Sequence, residues 1–108
     1  MRTLGLMAAG LLLLAAGCAH HELHRDGQGL VLTLRVPGAG DVLFVSSLNG
    51  FEPQPARHVG GSTWEVRVRP DSPFSYFYLV DGRVYVPECT FSEPDDFGSR
   101  NCVYLPDM

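Results

Sequence analysis

The chain contains no lysine. Its eight basic residues are all arginine and are outnumbered by twelve acidic residues, so the formal net charge is −4 at pH 7. Nucleic acids and anionic lipid surfaces attract proteins through clusters of basic side chains. The composition therefore argues against nucleic acid as a partner and against electrostatic binding to a membrane surface.

The sequence also lacks the motifs of catalysis and of cofactor binding. It contains no phosphate-binding loop, no dinucleotide fingerprint and no zinc-ligand spacing. His58 stands beside a glycine turn, and Glu93, Asp95 and Asp96 lie in a stretch with Pro and Gly, where carboxylates usually form turns. We therefore expect no enzyme activity, no metal site and no cofactor.

The sequence lacks an apolar run long enough to span a bilayer comfortably, since a membrane span takes about 20 residues. The apolar stretch at 4–16 follows Arg2, and the small residues 15–17 stand directly before Cys18, as in a secretory signal. With Cys in that place, the segment resembles the lipobox of bacterial lipoproteins, although Ala15 stands where Leu is usual. The resemblance implies that residues 1–17 are a cleaved signal peptide and that Cys18 is acylated. The alternative is a plain signal peptide or an N-terminal anchor.

Acylation would place the protein at a membrane, because two or more buried acyl chains anchor a protein stably. Ala19 follows the cysteine, and among lipoproteins a residue other than Asp there implies the outer membrane, with the domain facing either the periplasm or the exterior. Without residues 1–17 the chain keeps seven arginines and all twelve acidic residues, a balance of −5. Residues 18–29 are polar and end in glycines, which indicates a lipidated Cys and a flexible tether. Its histidines are interpreted as solvated side chains and not as metal ligands: His20, His21 and His24.

Residues 30–108 read as one small domain. Apolar and polar residues alternate over 30–36, and further short apolar runs are separated by Gly, Pro and Asp-Gly turn signals. This pattern predicts an all-β fold, an antiparallel immunoglobulin-like sandwich of about seven or eight short strands. Trp64 is expected to fill its core. In an oxidising compartment Cys89 and Cys102 are expected to form a disulfide, with two buried thiols as the alternative.

Four segments of this domain follow one another in a specific order. Residues 42–53 read VLFVSSLNGFEP, 61–64 GSTW, 76–82 YFYLVDG and 96–103 DFGSRNCV. In this order and spacing, over about 30–105, they resemble the glycogen-binding module of AMP-activated protein kinase β subunits and of isoamylase-type and branching enzymes. The resemblance implies an early-set immunoglobulin-like sandwich.

The resemblance also implies a carbohydrate-binding face. In that family a sugar rests on two Trp rings, assisted by a Lys, a Leu and an Asn. The matching positions here are Phe51 and Val84 for the Trp residues, Phe77 for the Lys, Phe97 for the Leu and Asn101 for the Asn. One platform and the charged donor are therefore absent, and the face is more apolar than in the family.

Two functions are consistent with such a face. The first is non-catalytic binding of an α-glucan or related glycan by an envelope lipoprotein, with the aromatic rings as platforms for the sugar. The alternative is a protein-interaction or scaffolding lipoprotein, because apolar aromatic patches on small domains mark interfaces. Residues 88–101 are polar and contain Pro and Gly, which predicts a long loop. Individually, Phe77 and Phe97 could also pack under this loop, and Asn101 could pin it by hydrogen bonds to its backbone.

Overall fold

The protein is described by a computed structural model over residues 20–95 and 98–106, and within them the regular structure is almost entirely β. A single turn of 3₁₀ helix spans Ser47–Asn49. The strands are β1 His20–Asp26, β2 Gly29–Arg35, β3 Val42–Ser46, β4 Gln54–Pro55, β5 Arg57–Gly60, β6 Thr63–Val68, β7 Phe74–Val80, β8 Arg83–Tyr85, β9 Ser92–Pro94 and β10 Arg100–Tyr104. None of the described segments is a helix with the length and hydrophobicity needed to span a membrane.

The strands form two antiparallel sheets packed as a sandwich, as predicted. The described residues contain ten strands and not seven or eight, because the polar β1 and the short β4 and β9 lack a clear apolar alternation. The first sheet has the order β1-β2-β6-β5 and the second the order β4-β3-β7-β10-β9. β8 also belongs to the second sheet, because it pairs with the last part of β7 while β10 pairs with the first part. One edge of β7 is thus shared by two strands, and the other is covered by β3.

The core lies between the inner faces of the two sheets. Alternation along β2 and β6 directs the leucines of β2 and Trp64, Val66 and Val68 of β6 inward, and Trp64 is buried as expected. The second sheet contributes mostly aromatic side chains. The inward residues of that sheet are Val42, Phe44, Phe74, Tyr76, Tyr78, Cys102 and Tyr104.

The prediction of a flexible tether over 18–29 is wrong for its described part, residues 20–29. Strand β1 pairs with β2 in unbroken register, from His20 opposite Arg35 to Asp26 opposite Gly29. The inward side of β1 carries Leu23, the half-buried His21 and Arg25, whose guanidinium lies near the Tyr104 ring, so an apolar alternation is not visible in its sequence. Cys18 and the signal segment lie outside the described residues.

The predicted Asp-Gly hairpin between β7 and β8 is confirmed. Asp81 and Gly82 both have positive φ, 51° and 80°, as a two-residue turn between twisted strands requires. The Asp81 carboxylate also accepts hydrogen bonds from the backbone N–H groups of Gly40 at 2.9 Å and Asp41 at 2.8 Å. The hairpin is thereby tied to the turn that precedes β3.

Gly29, where β2 begins, is a position that only glycine fits. Its φ is +139°, and a Cβ added there would lie 2.5 Å from the backbone oxygen of Val68. We expect Gly29→Ala to lower the free energy of unfolding by about 2 kcal/mol through backbone strain. The control is Gly27→Ala in the neighbouring turn, where an added Cβ meets nothing within 4 Å. Urea denaturation of both variants checks this, and equal stabilities would contradict it.

Candidate binding groove

The outer face of the second sheet carries a groove of about 670 Å³. Because Tyr76 and Tyr78 point into the core, the alternation of β7 places Phe77 on the opposite face. Val84 of β8 lies opposite Leu79 of β7. Leu79 is two residues after Phe77 and therefore on the same outer face, so Val84 faces outward as well. Phe77 and Val84, with Val86, form the apolar floor of the groove.

The structure brings four of the five sequence-predicted binding residues to this groove. Phe51, Phe77, Val84 and Asn101 all line it. Phe97 lies outside the described residues, so its placement is not assigned. The four positions come from a loop, β7, β8 and β10, and it is the pairing of these strands that makes them neighbours.

Phe51 stands at the rim on a loop held by local hydrogen bonds. Its backbone N–H donates to the Ser46 carbonyl at 2.8 Å, and the Ser75 N–H donates to the Ser47 hydroxyl at 3.0 Å, which fastens the loop to β7. Phe51 has a φ of 65°, and its side chain is 44% exposed. These hydrogen bonds therefore fix the backbone of the loop, and the loop exposes the Phe51 ring to solvent.

The segment between Cys89 and Cys102 forms the polar wall of the groove. The predicted disulfide is present, with the two Cα atoms 5.9 Å apart. Arg100 donates from Nε to the Ser92 hydroxyl at 2.9 Å and from Nη2 to the Ser92 carbonyl at 3.1 Å. These hydrogen bonds add to the pairing of β9 with β10 and hold the polar wall beside the apolar floor.

The wall was not predicted from the sequence to be part of the site. Glu93, Pro94, Asp95, Ser99 and Arg100 line the groove, although the segment was interpreted as a loop. The Asp95 N–H donates to the Ser99 carbonyl and the Ser99 N–H to the Asp95 carboxylate, both at 2.9 Å, which joins the end of β9 to the start of β10. The Asp, Gly and Ser residues of this stretch were the available signal, because they favour turns.

Asn101 provides an amide at the boundary between wall and floor. It pairs with Glu93 of β9 in the sheet register and is half-buried. Among the described residues its side chain makes no hydrogen bond, so pinning of the loop is not seen there. A half-buried amide on a groove supplies both a donor and an acceptor to a bound molecule.

A partly buried polar contact between His21 and Tyr78 links the two sheets on the core side. The His21 Nε2 lies 2.9 Å from the Tyr78 hydroxyl, while the buried His21 Nδ1 has no hydrogen-bond partner among the residues that the structure describes. Burial, with a smaller contribution from neighbouring His20, lowers the pKa of His21 to about 4. Burial also raises the pKa of the Tyr78 hydroxyl well above its usual value. At neutral pH both groups are therefore uncharged.

The interpretation of all three N-terminal histidines as solvated is wrong for His21, which is half-buried against Tyr76 and Tyr78. His20 and His24 are exposed. Within residues 20–95 and 98–106, no three His, Cys, Asp or Glu side chains are grouped so that they could hold a metal ion.

The fold and the groove define a small β-sandwich domain whose buried aromatic cluster supports an apolar face compatible with binding. No protein-family model matches the chain, and no curated protein matches it.

Proposed function

We propose that the protein is a non-catalytic envelope lipoprotein that binds an α-glucan or related glycan in the groove on the outer face of the second sheet. The observation that carries the proposal is that the groove joins two aromatic rings, Phe51 and Phe77, to the half-buried side-chain amide of Asn101. Pyranose C–H groups pack against aromatic faces while the sugar hydroxyls require polar partners. Both kinds of contact are available within one groove.

The resemblance to the glycogen-binding module supports the same assignment. It relates Phe51, Phe77, Val84 and Asn101 to sugar-contacting positions of that family, and these four residues share one groove. The exposed Val84 does not offer a stacking surface, so the rings of Phe51 and Phe77 would carry the contact with the sugar. Arg100 and Glu93 at the wall supply further hydrogen-bonding groups.

The membrane attachment belongs to the same proposal and rests on the lipobox-like segment before Cys18. Strand β1 begins at His20, so acyl chains on Cys18 would hold the sandwich close to the bilayer. We place the domain at the outer membrane, on its periplasmic or its exterior side. Attachment to a surface suits a binding protein, because it confines a soluble glycan near the membrane.

The second candidate is a protein-interaction lipoprotein that uses the same groove. It is favoured by the exposure of apolar side chains there, 66% for Val84 and 44% for Phe51. Exposed apolar side chains gathered at one place are typical of surfaces that bind proteins. An envelope protein that packs on Phe51 would also cover Val84.

The test is thermal unfolding of the full-length chain with and without millimolar linear and cyclic malto-oligosaccharides. A glycan at 100 times its dissociation constant adds about 2.7 kcal/mol of stability, which raises the Tm of a small domain by several degrees. We expect this shift in the unsubstituted protein and its loss in Phe51→Ala, which keeps the Cβ and therefore the same backbone constraint.

The matched control is Phe91→Ala. Phe91 is 42% exposed, close to the value of Phe51, but it does not line the groove. The glycan-dependent shift should persist in this variant. Absence of a shift with every α-glucan would contradict glycan binding, and loss of a co-purifying envelope protein in Phe51→Ala would then support the second candidate.

A further inference from the structure

Strand β1 ends the first sheet with an edge that no described strand covers. It runs for seven residues, His20–Asp26, in continuous register with β2 and contains no proline. The other sheet edges are poorer templates: β4 has two residues and β9 three, while the pairing of β5 is interrupted by a register shift after His58. Proteins usually protect long regular edges, because such edges pair with other strands.

The outward side chains of one β1 strand are complementary in charge to those of a second β1 strand that runs antiparallel to it. His20, Glu22, His24 and Asp26 alternate along one face, since they lie two residues apart. In an antiparallel pair of two β1 strands centred on Leu23, His20 lies opposite Asp26 and Glu22 lies opposite His24. Each imidazole then faces a carboxylate of the other copy, and cross-strand pairs of this kind stabilise a sheet. Within one copy these exposed carboxylates already contact His20, 2.8 Å from Glu22, and Arg67, 2.6 Å from Asp26, so the new pairs add to contacts that each copy makes by itself. A parallel pair in register would instead place identical groups opposite one another.

The inward side chains are also compatible with this arrangement. Leu23 would meet Leu23 of the second copy on the axis, and His21 would lie opposite Arg25. Burial keeps His21 uncharged at neutral pH, since its pKa is about 4. Arg25 is already drawn toward the core, with its guanidinium 5.7 Å from the centre of the Tyr104 ring. No repulsive pair therefore arises on either face.

We propose that β1 is a dimerisation edge, at which two copies of this chain pair antiparallel about Leu23 and join their first sheets into one continuous sheet. The two-fold axis of such a pair is perpendicular to the joined sheet, so both second sheets lie on the same side of it. The two outer grooves then face in the same direction. A polymeric ligand bound in both would gain avidity without any new contact.

The test is sedimentation equilibrium of the full-length chain in density-matched detergent, without glycan, over a range of protein concentrations. We expect a monomer–dimer equilibrium. Glu22→Arg sets a guanidinium opposite His24, and His24→Glu sets two carboxylates opposite each other, at two places in each dimer. Each single substitution should weaken dimerisation about tenfold, and the double substitution, which restores an acid opposite a base, should recover most of the loss.

The matched control is Arg57→Glu, a charge reversal on β5 at the other edge of the same sheet, which should leave the dimer unchanged. All of these side chains are exposed, so the variants should keep their fold. A chain that stays monomeric at every concentration would overturn the proposal. So would a double variant that dimerises no better than the singles, or a dimer weakened equally by Arg57→Glu. This experiment does not measure glycan binding, so its result tests dimerisation alone and not the function proposed for the groove.

Discussion

Replacing both Cys89 and Cys102 with alanine is expected to lower the free energy of unfolding by about 3 kcal/mol. The disulfide joins residues 13 apart, and in the chain-entropy model closing a loop of about this length restricts the unfolded chain by that amount. Cys102 is fully buried in the core cluster, so truncation of its side chain adds a small packing loss. Urea denaturation of the oxidised protein and of the double variant measures the difference.

The same bond has a consequence for the groove. It closes the segment that carries Glu93, Pro94 and Asp95 against β10, so its loss should loosen the polar wall while the floor of Phe77 and Val84 keeps its strand pairing. Reduction of the unsubstituted protein with dithiothreitol is the control, since it breaks the bond without removing an atom of sulfur. Equal stability of the oxidised protein and the double variant would show that the bond contributes nothing.

Acidification from pH 6.5 to pH 4 is expected to cost about 3 kcal/mol of stability through one histidine. In the unfolded chain a histidine titrates near pH 6.5, whereas burial lowers the pKa of His21 to about 4 in the folded protein. Between these values the unfolded chain binds one proton more, so stability falls as pH falls, by about 1.4 kcal/mol for each pH unit. The full stability is present above pH 6.5 and is lost as the pH passes down through about 4.

His21 is the group to test because it is the histidine that bridges the sheets. Its ring lies 5.5 Å from that of Tyr78 and 5.8 Å from that of Tyr76, so its charged form would sit beside groups that burial keeps neutral. Glu22 and Asp26 on the same strand have pKa values lowered by hydrogen bonds from His20 and Arg67, respectively. Their contributions are lost only below their ordinary values, near pH 4, and so fall outside most of this range.

The measurement is the unfolding free energy in urea at half-unit steps of pH. In His21→Leu the slope between pH 6.5 and pH 4.5 should disappear, although the variant loses the hydrogen bond to Tyr78. His24→Gln is the control, because His24 is exposed on the same strand, and the slope should persist there. A slope that survives in His21→Leu would show that another group is responsible.

The sandwich was predictable because local rules agreed along most of the chain. Alternation in 30–36 and the turn at Asp81–Gly82 each indicate one local structure, and a pair of cysteines in an oxidising compartment favours a disulfide over two buried thiols. The fold contains the strand, the turn and the disulfide. Strand β1 was not predictable in the same way. Its inward side chains include His21, and a histidine becomes an interior residue only when a partner such as Tyr78 is brought to it.

The groove could be predicted from the sequence only in part. The amino-acid sequence determined that residues 74–80 form a strand and that Phe51 lies in a loop, because these depend on neighbouring residues. Only the tertiary structure decided which side of that strand faces the core, since every residue of it except Ser75 is apolar. Packing against the first sheet buries Tyr76 and Tyr78 and therefore leaves Phe77 on the outside. Pairing of β9 with β10 then places the polar wall beside Phe77. Strand pairing and the disulfide determine this position, and both join residues that are not neighbours in sequence.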